Sequence, residues 1–341
     1  MNPRLLPLLC CPVTRSPLRV EDAKLTPQGD MTEGWLVAEA NPLNRYRVER
    51  GIPRFAPQSG EANASTVESF GDQWNYFNFD QFSSHFRLAL VHTFGDLAHL
   101  RGKVVVDAGA GAGMQSRWLA EAGATHVIAL ELSHAVDGVI AANLKGIRNV
   151  DVIQCSIDAI PLRDGAISGG IVMCHNVIQH TPSVPKTLGE LWRIAGKGTD
   201  VAFNCYTRDV STPLKRIRYW LYSHVRQMVA DLPFAGRLAY ARAMAVLRFV
   251  PLLGYLLEKA DLMRRGRVFE PTFMARLKMQ YRAGLLNTFD YFGAHAYQHH
   301  HTLGELRAMA DALTPSPQIV NADDFFRPHQ PVGIMLRLLR R

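Results

Sequence analysis

An acidic residue and three alternating glycines follow the short apolar run Val104–Val106. The acid is Asp107, and the glycines are Gly109, Gly111 and Gly113. Glycine is needed where a turn requires unusual backbone dihedral angles, or where a side chain would hold the backbone away from a ligand. A carboxylate this close to the turn would repel a pyrophosphate but would hold an ammonium group. The spacing therefore predicts a strand and a tight turn that contacts a ligand with a cationic end.

The glycine spacing also indicates which nucleotide the turn would bind. Met114–Ala122 has apolar residues at helical spacing, so a strand, a glycine turn and a helix open a nucleotide-binding α/β unit. The dinucleotide fingerprint G-x-G-x-x-G needs glycine at position 114, where this chain has Met114. The G-x-G-x-G spacing after Asp107 instead resembles the first motif of the class I S-adenosylmethionine-dependent methyltransferases. This resemblance implies S-adenosyl-L-methionine as the cofactor, with Asp107 ordering the turn and meeting the cofactor's amino acid end.

Two later segments supply further predicted contacts to that cofactor. His126–Glu131 predicts a second strand that ends in an acid 24 residues beyond Asp107. An acid about 20 residues on hydrogen-bonds ribose hydroxyls in this kind of fold, so Glu131 is assigned that role, and Leu132 offers an apolar face to the adenine. In the resembled family an aspartate often binds the adenine amino group where this chain has Ser156, and Ile157 would cover the ring.

The β–α order continues through the middle of the chain. Val150–Gln154, Gly169–Cys174 and Asp200–Tyr206 predict the third, fourth and fifth strands. Because ligands bind at the carboxyl ends of strands in open α/β sheets, His175 and Asn176 are predicted at the floor of the site. The expected fold is an α/β, doubly wound Rossmann-like sheet. The predicted cofactor-binding residues are Trp74, Asp107, Gly109, Ala110, Gly111, Gly113, Glu131, Leu132, Ser156, Ile157, His175 and Asn176.

Residues 1–58 predict a small N-terminal domain that is similar to the zinc-ribbon-like Trm112 type. Cys11 and the proline after it match the family's C-P-x-C pair, but Thr14 stands where the second ligand belongs, and the next cysteine is Cys155. A structural zinc site needs four ligands, so this domain is expected to hold no metal. Residues 59–71 are small and polar, which predicts a linker.

The aromatic cluster at 69–82 completes the predicted linker-and-flap segment 59–100. Either its rings pack against the next domain, or they form a flap over the cofactor with Trp74 as its main residue. The methyltransferase domain is then expected over 101–341. Near its end, Thr302 and Glu305 predict a capping box for a helix over Leu303–Leu313, and 318–320 with 333–339 predict an antiparallel hairpin.

A helical cap is predicted as an insertion over about 208–290, after the fifth strand. Apolar residues at helical spacing are interrupted there by prolines, and the stretch 211–290 holds fourteen Lys and Arg against five Asp and Glu. Three interpretations of this basic stretch remain open: it forms a solvated cationic face, a lid over an anionic or lipid-like substrate, or a peripheral contact with a membrane surface.

Composition limits the class of protein. Apolar residues make up 48% and charged residues 20% of the 341 residues, as in ordinary globular proteins. No apolar run approaches the roughly 20 residues of a membrane span, and the short run at the N-terminus does not resemble a secretory signal. The five cysteines are interpreted as core residues rather than as a disulfide framework. We therefore expect a cytoplasmic protein; the sequence does not predict its oligomeric state.

The expected reaction is transfer of a methyl group to a small-molecule acceptor, most simply to an oxygen atom. A hydroxyl nucleophile must lose its proton near pH 7, and histidine suits that task, so His180 and His300 are the candidate bases. Secondary-metabolic, quinone-like and envelope-glycan acceptors all fit. Two alternatives are RNA methylation, which the apolar interleaving of the basic stretch disfavours, and a non-catalytic cofactor-binding adaptor.

Overall fold

An eight-stranded mixed sheet forms the centre of the computed structural model, which describes residues 1–55, 61–77, 80–207, 210–263, 272–323 and 334–341. Its strands are β5 (Val104–Ala108), β6 (His126–Glu131), β7 (Val150–Gln154), β8 (Ile171–Cys174), β9 (Thr199–Thr207), β10 (His300–His301), β11 (Gln318–Asp323) and β12 (Ile334–Arg340). The strand order is β11-β12-β9-β8-β5-β6-β7, and β10 pairs with β9 beside this path. The five strands β5 to β9 are parallel, which confirms the predicted Rossmann-like fold class.

The order of the strands determines where a ligand can bind. Beginning at β5, the chain adds β6 and β7 on one side and then crosses to add β8 and β9 on the other. Side chains of β6 and β8 are almost wholly buried, as expected for parallel strands covered on both faces. Because the order reverses between β5 and β8, their carboxyl ends open a crevice of the kind that binds ligands in doubly wound sheets.

Helices cover both faces of this sheet. They are α2 (Ser83–Phe94), α3 (Met114–Glu121), α4 (Val139–Asn143), α5 (Val184–Ile194) and α10 (Leu303–Asp311). Ser183 caps α5, and Thr302 with Glu305 forms the predicted capping box of α10. The predicted C-terminal hairpin is present as β11 and β12, which pair antiparallel; position 333 lies outside the described residues.

The N-terminal residues form a separate four-stranded antiparallel sheet that packs against the central one. Its strands are β1 (Leu18–Leu25), β2 (Met31–Ala38), β3 (Arg45–Glu49) and β4 (Ile52–Pro53). Phe55 N donates a hydrogen bond of 2.7 Å to Gln154 O on β7, and both sheets contribute to one hydrophobic cluster. The Cys11 thiol lies 3.0 Å from Tyr46 Oη, and in the described ranges no group of three metal-ligating side chains occurs.

The segment predicted as a linker is instead helical. Helix α1 spans Glu61–Tyr76, while residues 56–60 lie outside the described residues. Two of its small polar side chains, Thr66 and Ser69, make interior contacts rather than facing water. Thr66 Oγ1 accepts from Ala296 N at 2.9 Å, and Ser69 Oγ accepts from Arg237 Nη1 at 2.8 Å. Hydrogen bonds to distant parts of the chain therefore explain why a polar stretch is buried here.

The predicted cap consists of four helices after β9: α6 (Pro213–Ala230), α7 (Phe234–Leu247), α8 (Pro251–Lys259) and α9 (Phe273–Tyr291). Pro213 and Pro251 are the first residues of their helices, and Pro233 precedes α7, where the missing N–H is tolerated. Positions 208, 209 and 264–271 of the predicted cap lie outside the described residues. Within the described ranges, we find no helix with the length and hydropathy needed to cross a bilayer.

Candidate active site

The turn after β5 has the backbone conformation that its glycines predict. Gly109, Gly111 and Gly113 have φ angles of +91°, +57° and +78°. A Cβ atom at Gly109 would lie 2.5 Å from the side chain of Val177, and one at Gly111 would lie 3.0 Å from the Trp74 ring. Any larger residue at these two positions would therefore meet both a strained dihedral and a steric clash.

The carboxylate of Glu131 holds this turn against the end of β6. Glu131 Oε2 accepts from Gly111 N at 2.9 Å, and Glu131 Oε1 accepts from Ser133 N at 2.8 Å. Each carboxylate oxygen can accept two hydrogen bonds, so each keeps one further lone pair. Because Glu131 also lines the cavity above the turn, those lone pairs suit two vicinal hydroxyl donors.

Asp107 is completely buried beneath the same turn. Ser116 Oγ donates to Asp107 Oδ2 at 2.6 Å, while Oδ1 has no hydrogen-bond partner among the described residues. Burial, with a smaller contribution from the Glu131 charge, raises the pKa of Asp107 to about 6. Asp107 does not itself line the cavity. Its bond to Ser116 at the start of α3 orders the turn, and its unpartnered oxygen suits a cationic group.

One cavity at the β5–β8 crevice brings most of the predicted site together. The predicted residues that line it are Trp74, Gly109, Glu131, Leu132, Ser156, Ile157, Asn176 and His180. Ala110, Gly111 and Gly113 belong to the adjoining turn without lining the cavity. Ser156 Oγ donates to the Asp158 carboxylate, so this hydroxyl is already engaged.

Two predicted histidines lie elsewhere. Both residues follow the end of β8, where Asn176 lines the cavity while the His175 ring packs 5.7 Å from the Phe86 ring on α2. The structure thus corrects the expectation that His175 lines the site. His300 lies in β10 among the rings of Tyr206, Tyr219, Tyr222 and Tyr291, at 5.6 to 6.1 Å, and does not line this cavity either.

Asn176 adopts a backbone conformation that is uncommon for a residue with a side chain. Its φ angle is +61°. The buried Asn204 on β9 holds it there: Asn204 Oδ1 accepts from Asn176 N at 2.6 Å, and Asn204 Nδ2 donates to Asn176 Oδ1 at 2.5 Å. These paired amides fix the loop that forms the cavity floor.

His180 lines the cavity with one ring nitrogen held and the other unpartnered. Its Nδ1–H donates to Tyr297 O at 3.2 Å, and its buried Nε2 has no hydrogen-bond partner among the described residues. Burial lowers the pKa of His180 below its ordinary value, so the ring is neutral near pH 7. The rings of Phe70 and His295 lie 5.1 and 4.7 Å away.

Several residues of this site were not predicted. Phe70 on α1 lines the cavity and stacks on the His295 ring at 4.1 Å, and Asn204 supports its floor. A polar residue inside the apolar strand at 201–206 is a sequence signal that could have pointed to Asn204. Phe70 belongs to the aromatic cluster at 69–82 that sequence analysis considered as a flap, although only Trp74 was named there, and no local signal marks His295 as its partner.

Comparison with known proteins identifies the central segment. Residues 106–203 match the family model described as a methyltransferase domain. Over 115 residues the chain is 30% identical to a ubiquinone biosynthesis O-methyltransferase of Hahella chejuensis, which covers 33% of this chain and 47% of that relative. The chain thus spans about half the length of the relative that it matches.

Solved structures resemble the chain more distantly. A structure described as that of Zn-dependent alcohol dehydrogenases from Rhodobacter sphaeroides has a TM-score of 0.47 and 15% identity, covering 81% of this chain and 99% of that one. Magnesium protoporphyrin IX methyltransferase from Synechocystis with bound SAH has a TM-score of 0.44 and 14% identity, covering 82% and 97%. Structural similarity with such low TM-scores says nothing about the function of this chain.

The sequence matches and the strand order together define the class of the domain. The central sheet with residues 106–203 is a class I S-adenosylmethionine-dependent methyltransferase domain. S-adenosylmethionine is the cofactor that methyltransferases of this class use.

Replacing Asp107 with asparagine should stabilise the protein increasingly as pH rises. A folded-state pKa raised from about 3.9 to about 6 means that stability is lost as pH increases through 6, because the buried carboxyl must ionise. Asparagine removes this cost. Urea unfolding should show the advantage of Asp107→Asn growing by about 1 kcal/mol between pH 5 and pH 8. An advantage that stays constant over this range would contradict the buried, pH-sensitive carboxyl.

Replacing Asn204 with leucine should destabilise the loop after β8. The substitution keeps a similar volume but leaves the Asn176 N–H without its acceptor, which costs about 1–3 kcal/mol. Urea unfolding at pH 7 measures the change, and Asn176→Gly serves as the comparison because glycine tolerates the left-handed backbone. If Asn204→Leu is as stable as the parent, the paired amides do not hold this loop.

Proposed function

We propose that this chain transfers a methyl group from S-adenosylmethionine to an oxygen atom of a small-molecule acceptor, with His180 as the base. The observation that carries the proposal is the neutral His180 ring, which lines the same cavity as the glycine turn and Glu131. The name of the Hahella relative, an O-methyltransferase of ubiquinone biosynthesis, supports an oxygen nucleophile and favours a quinone-like acceptor.

The residues around the cavity fit S-adenosylmethionine. Gly109 and Gly111 give the backbone room that a Cβ atom would fill, and Glu131 has free lone pairs for ribose hydroxyls. Leu132 and Ile157 offer apolar surface for the adenine, and the buried Asp107 carboxylate beneath the turn favours a cationic group in the cavity through its charge. When bound, the cofactor supplies a sulfonium methyl group that a nucleophile can displace.

The chain's own contribution is to orient the acceptor, exclude water and remove a proton. The Tyr297 carbonyl fixes the Nδ1–H tautomer of His180, which leaves the Nε2 lone pair to accept the acceptor's hydroxyl proton. Phe70 and Trp74 of α1 cover the cavity with rings that stack 6.4 Å apart. An apolar cover of this kind suits an aromatic acceptor and keeps water from the reacting atoms.

Glu131 provides the test of cofactor binding, with Glu121 as its control. In Glu131→Gln an amide NH₂ group must face one of the two backbone N–H donors, so S-adenosylhomocysteine should bind about tenfold or more weakly. The matched variant Glu121→Gln changes an exposed carboxylate on α3 and should bind as the parent does. Isothermal titration calorimetry measures both. Absence of binding to the parent protein would overturn the proposed function.

His180 provides the test of base catalysis. Formation of S-adenosylhomocysteine should be followed with a panel of small phenols, with matched anilines as nitrogen nucleophiles. His180→Ala should lower kcat by about 10²–10⁴-fold while leaving the affinity for S-adenosylhomocysteine unchanged. In the parent, kcat should fall only below about pH 6.5, because the base must be neutral and burial lowers its pKa.

The same assay tests His300, which sequence analysis nominated alongside His180. His300→Ala replaces another buried histidine, but one outside the cavity lining. If kcat falls at His300 and not at His180, the base has been assigned to the wrong residue. Faster turnover of anilines than of phenols would argue against an oxygen acceptor.

A further inference from the structure

Large apolar side chains are concentrated on the surface of the helical cap, which here means α6 to α9 with their described connections. Of the twenty-four large hydrophobic residues that are exposed in the described ranges, sixteen lie between Val210 and Leu277. Scattered single apolar residues are normal on a protein surface, but a concentration of them marks an interaction site. The methyltransferase site does not use this surface.

Helix α6 shows the pattern most clearly. Its interior face carries the buried Tyr222 and Val229. Leu214, Ile217 and Met228 lie outside that face and are all exposed, Ile217 at 62%. The exposed side of the helix therefore carries large apolar side chains among the polar Arg216, His224 and Gln227, and the packing of the cap does not explain these apolar residues.

Helices α8 and α9 also carry exposed apolar side chains. In α8 only Gly254 is buried, whereas exposed side chains include Leu252, at 72%, and Leu256. Phe273 at the start of α9 is 69% exposed. The four helices pack together, since α7 contacts α6, α8 and α9, and the Arg218 guanidinium on α6 is paired with Asp261 after α8.

Positive charge accompanies these apolar side chains. Within 210–263 and 272–282, the exposed basic residues are Arg216, Arg242, Lys259, Arg276, Lys278 and Arg282, whereas Asp231 is the one exposed acid. Exposed basic residues beside Leu, Trp and Phe are the composition of helices that lie in a membrane interface. A second copy of this chain would instead bring two positive surfaces together.

We propose that the helical cap docks on an anionic lipid bilayer, with the apolar side chains of α6, α8 and α9 in the interface and the basic side chains against the lipid headgroups. Charge complementarity selects this partner: anionic leaflets attract Lys and Arg, and the headgroup region accepts Trp, Leu and Phe. The helices lie on the bilayer and do not cross it. The inference stands independently of the proposed acceptor.

Co-sedimentation with vesicles tests the inference on the full chain. The protein should bind equimolar phosphatidylcholine–phosphatidylglycerol vesicles, bind pure phosphatidylcholine vesicles far less, and lose affinity as salt is added. Ile217→Glu and Leu252→Glu place a carboxylate in the interface and should each weaken binding about tenfold or more. The control is Leu43→Glu in the N-terminal unit, where the apolar side chain is even more exposed, at 89%; this variant should bind as the parent does.

Two further measurements show whether a loss of vesicle binding arises from misfolding or from self-association. Circular dichroism and binding of S-adenosylhomocysteine should match the parent in every variant, since each altered residue is exposed. Light scattering reports self-association. The inference is overturned if the parent ignores the mixed vesicles, if the cap variants bind them as well as Leu43→Glu does, or if these residues mediate dimer formation instead.

Discussion

The site depends on one carboxylate that joins two loops. Glu131 ends β6 and accepts backbone N–H groups from Gly111, in the turn after β5, and from Ser133, in its own loop. Without this side chain, buried donors on both loops would lose their acceptor, and the glycine turn would lose its fixed place at the cavity. The same carboxylate faces the cavity, so the group that shapes the turn is also the group that can bind a ligand's hydroxyls.

Burial gives the site its acid–base character. Asp107 and His180 are both excluded from water, which raises the pKa of the acid and lowers the pKa of the histidine. The histidine is therefore neutral at pH 7 and can accept a proton, whereas the Asp107 carboxyl, with a pKa of about 6, is mostly ionised at pH 7 and keeps a negative charge beneath the turn. The charge of the Asp107 carboxylate favours a cationic cofactor, and the neutral His180 ring can take the proton of a hydroxyl acceptor. The burial that the fold imposes on both residues therefore suits the proposed chemistry.

Much of the parallel sheet could be predicted from local patterns. His126–Glu131 was predicted with the bounds that β6 has, because a buried strand and its terminal acid are both visible in the sequence. The direction of a side chain at a strand end was not visible, so His175 was placed in the cavity with Asn176. Helix α1 was missed because its polar residues, such as Thr66, are satisfied by partners more than two hundred positions away. Tertiary contacts, rather than local propensity, decide such cases.

The central claim is that the glycine turn, Glu131 and the cavity above them bind a sulfonium nucleoside. Hydrogen–deuterium exchange with and without S-adenosylhomocysteine tests this most directly, because it reports which backbone segments the ligand protects. The account predicts added protection in 109–113, 131–133 and 156–157, with none in the N-terminal strands β1 to β3. Protection confined to other segments, or no change with saturating ligand, would contradict it.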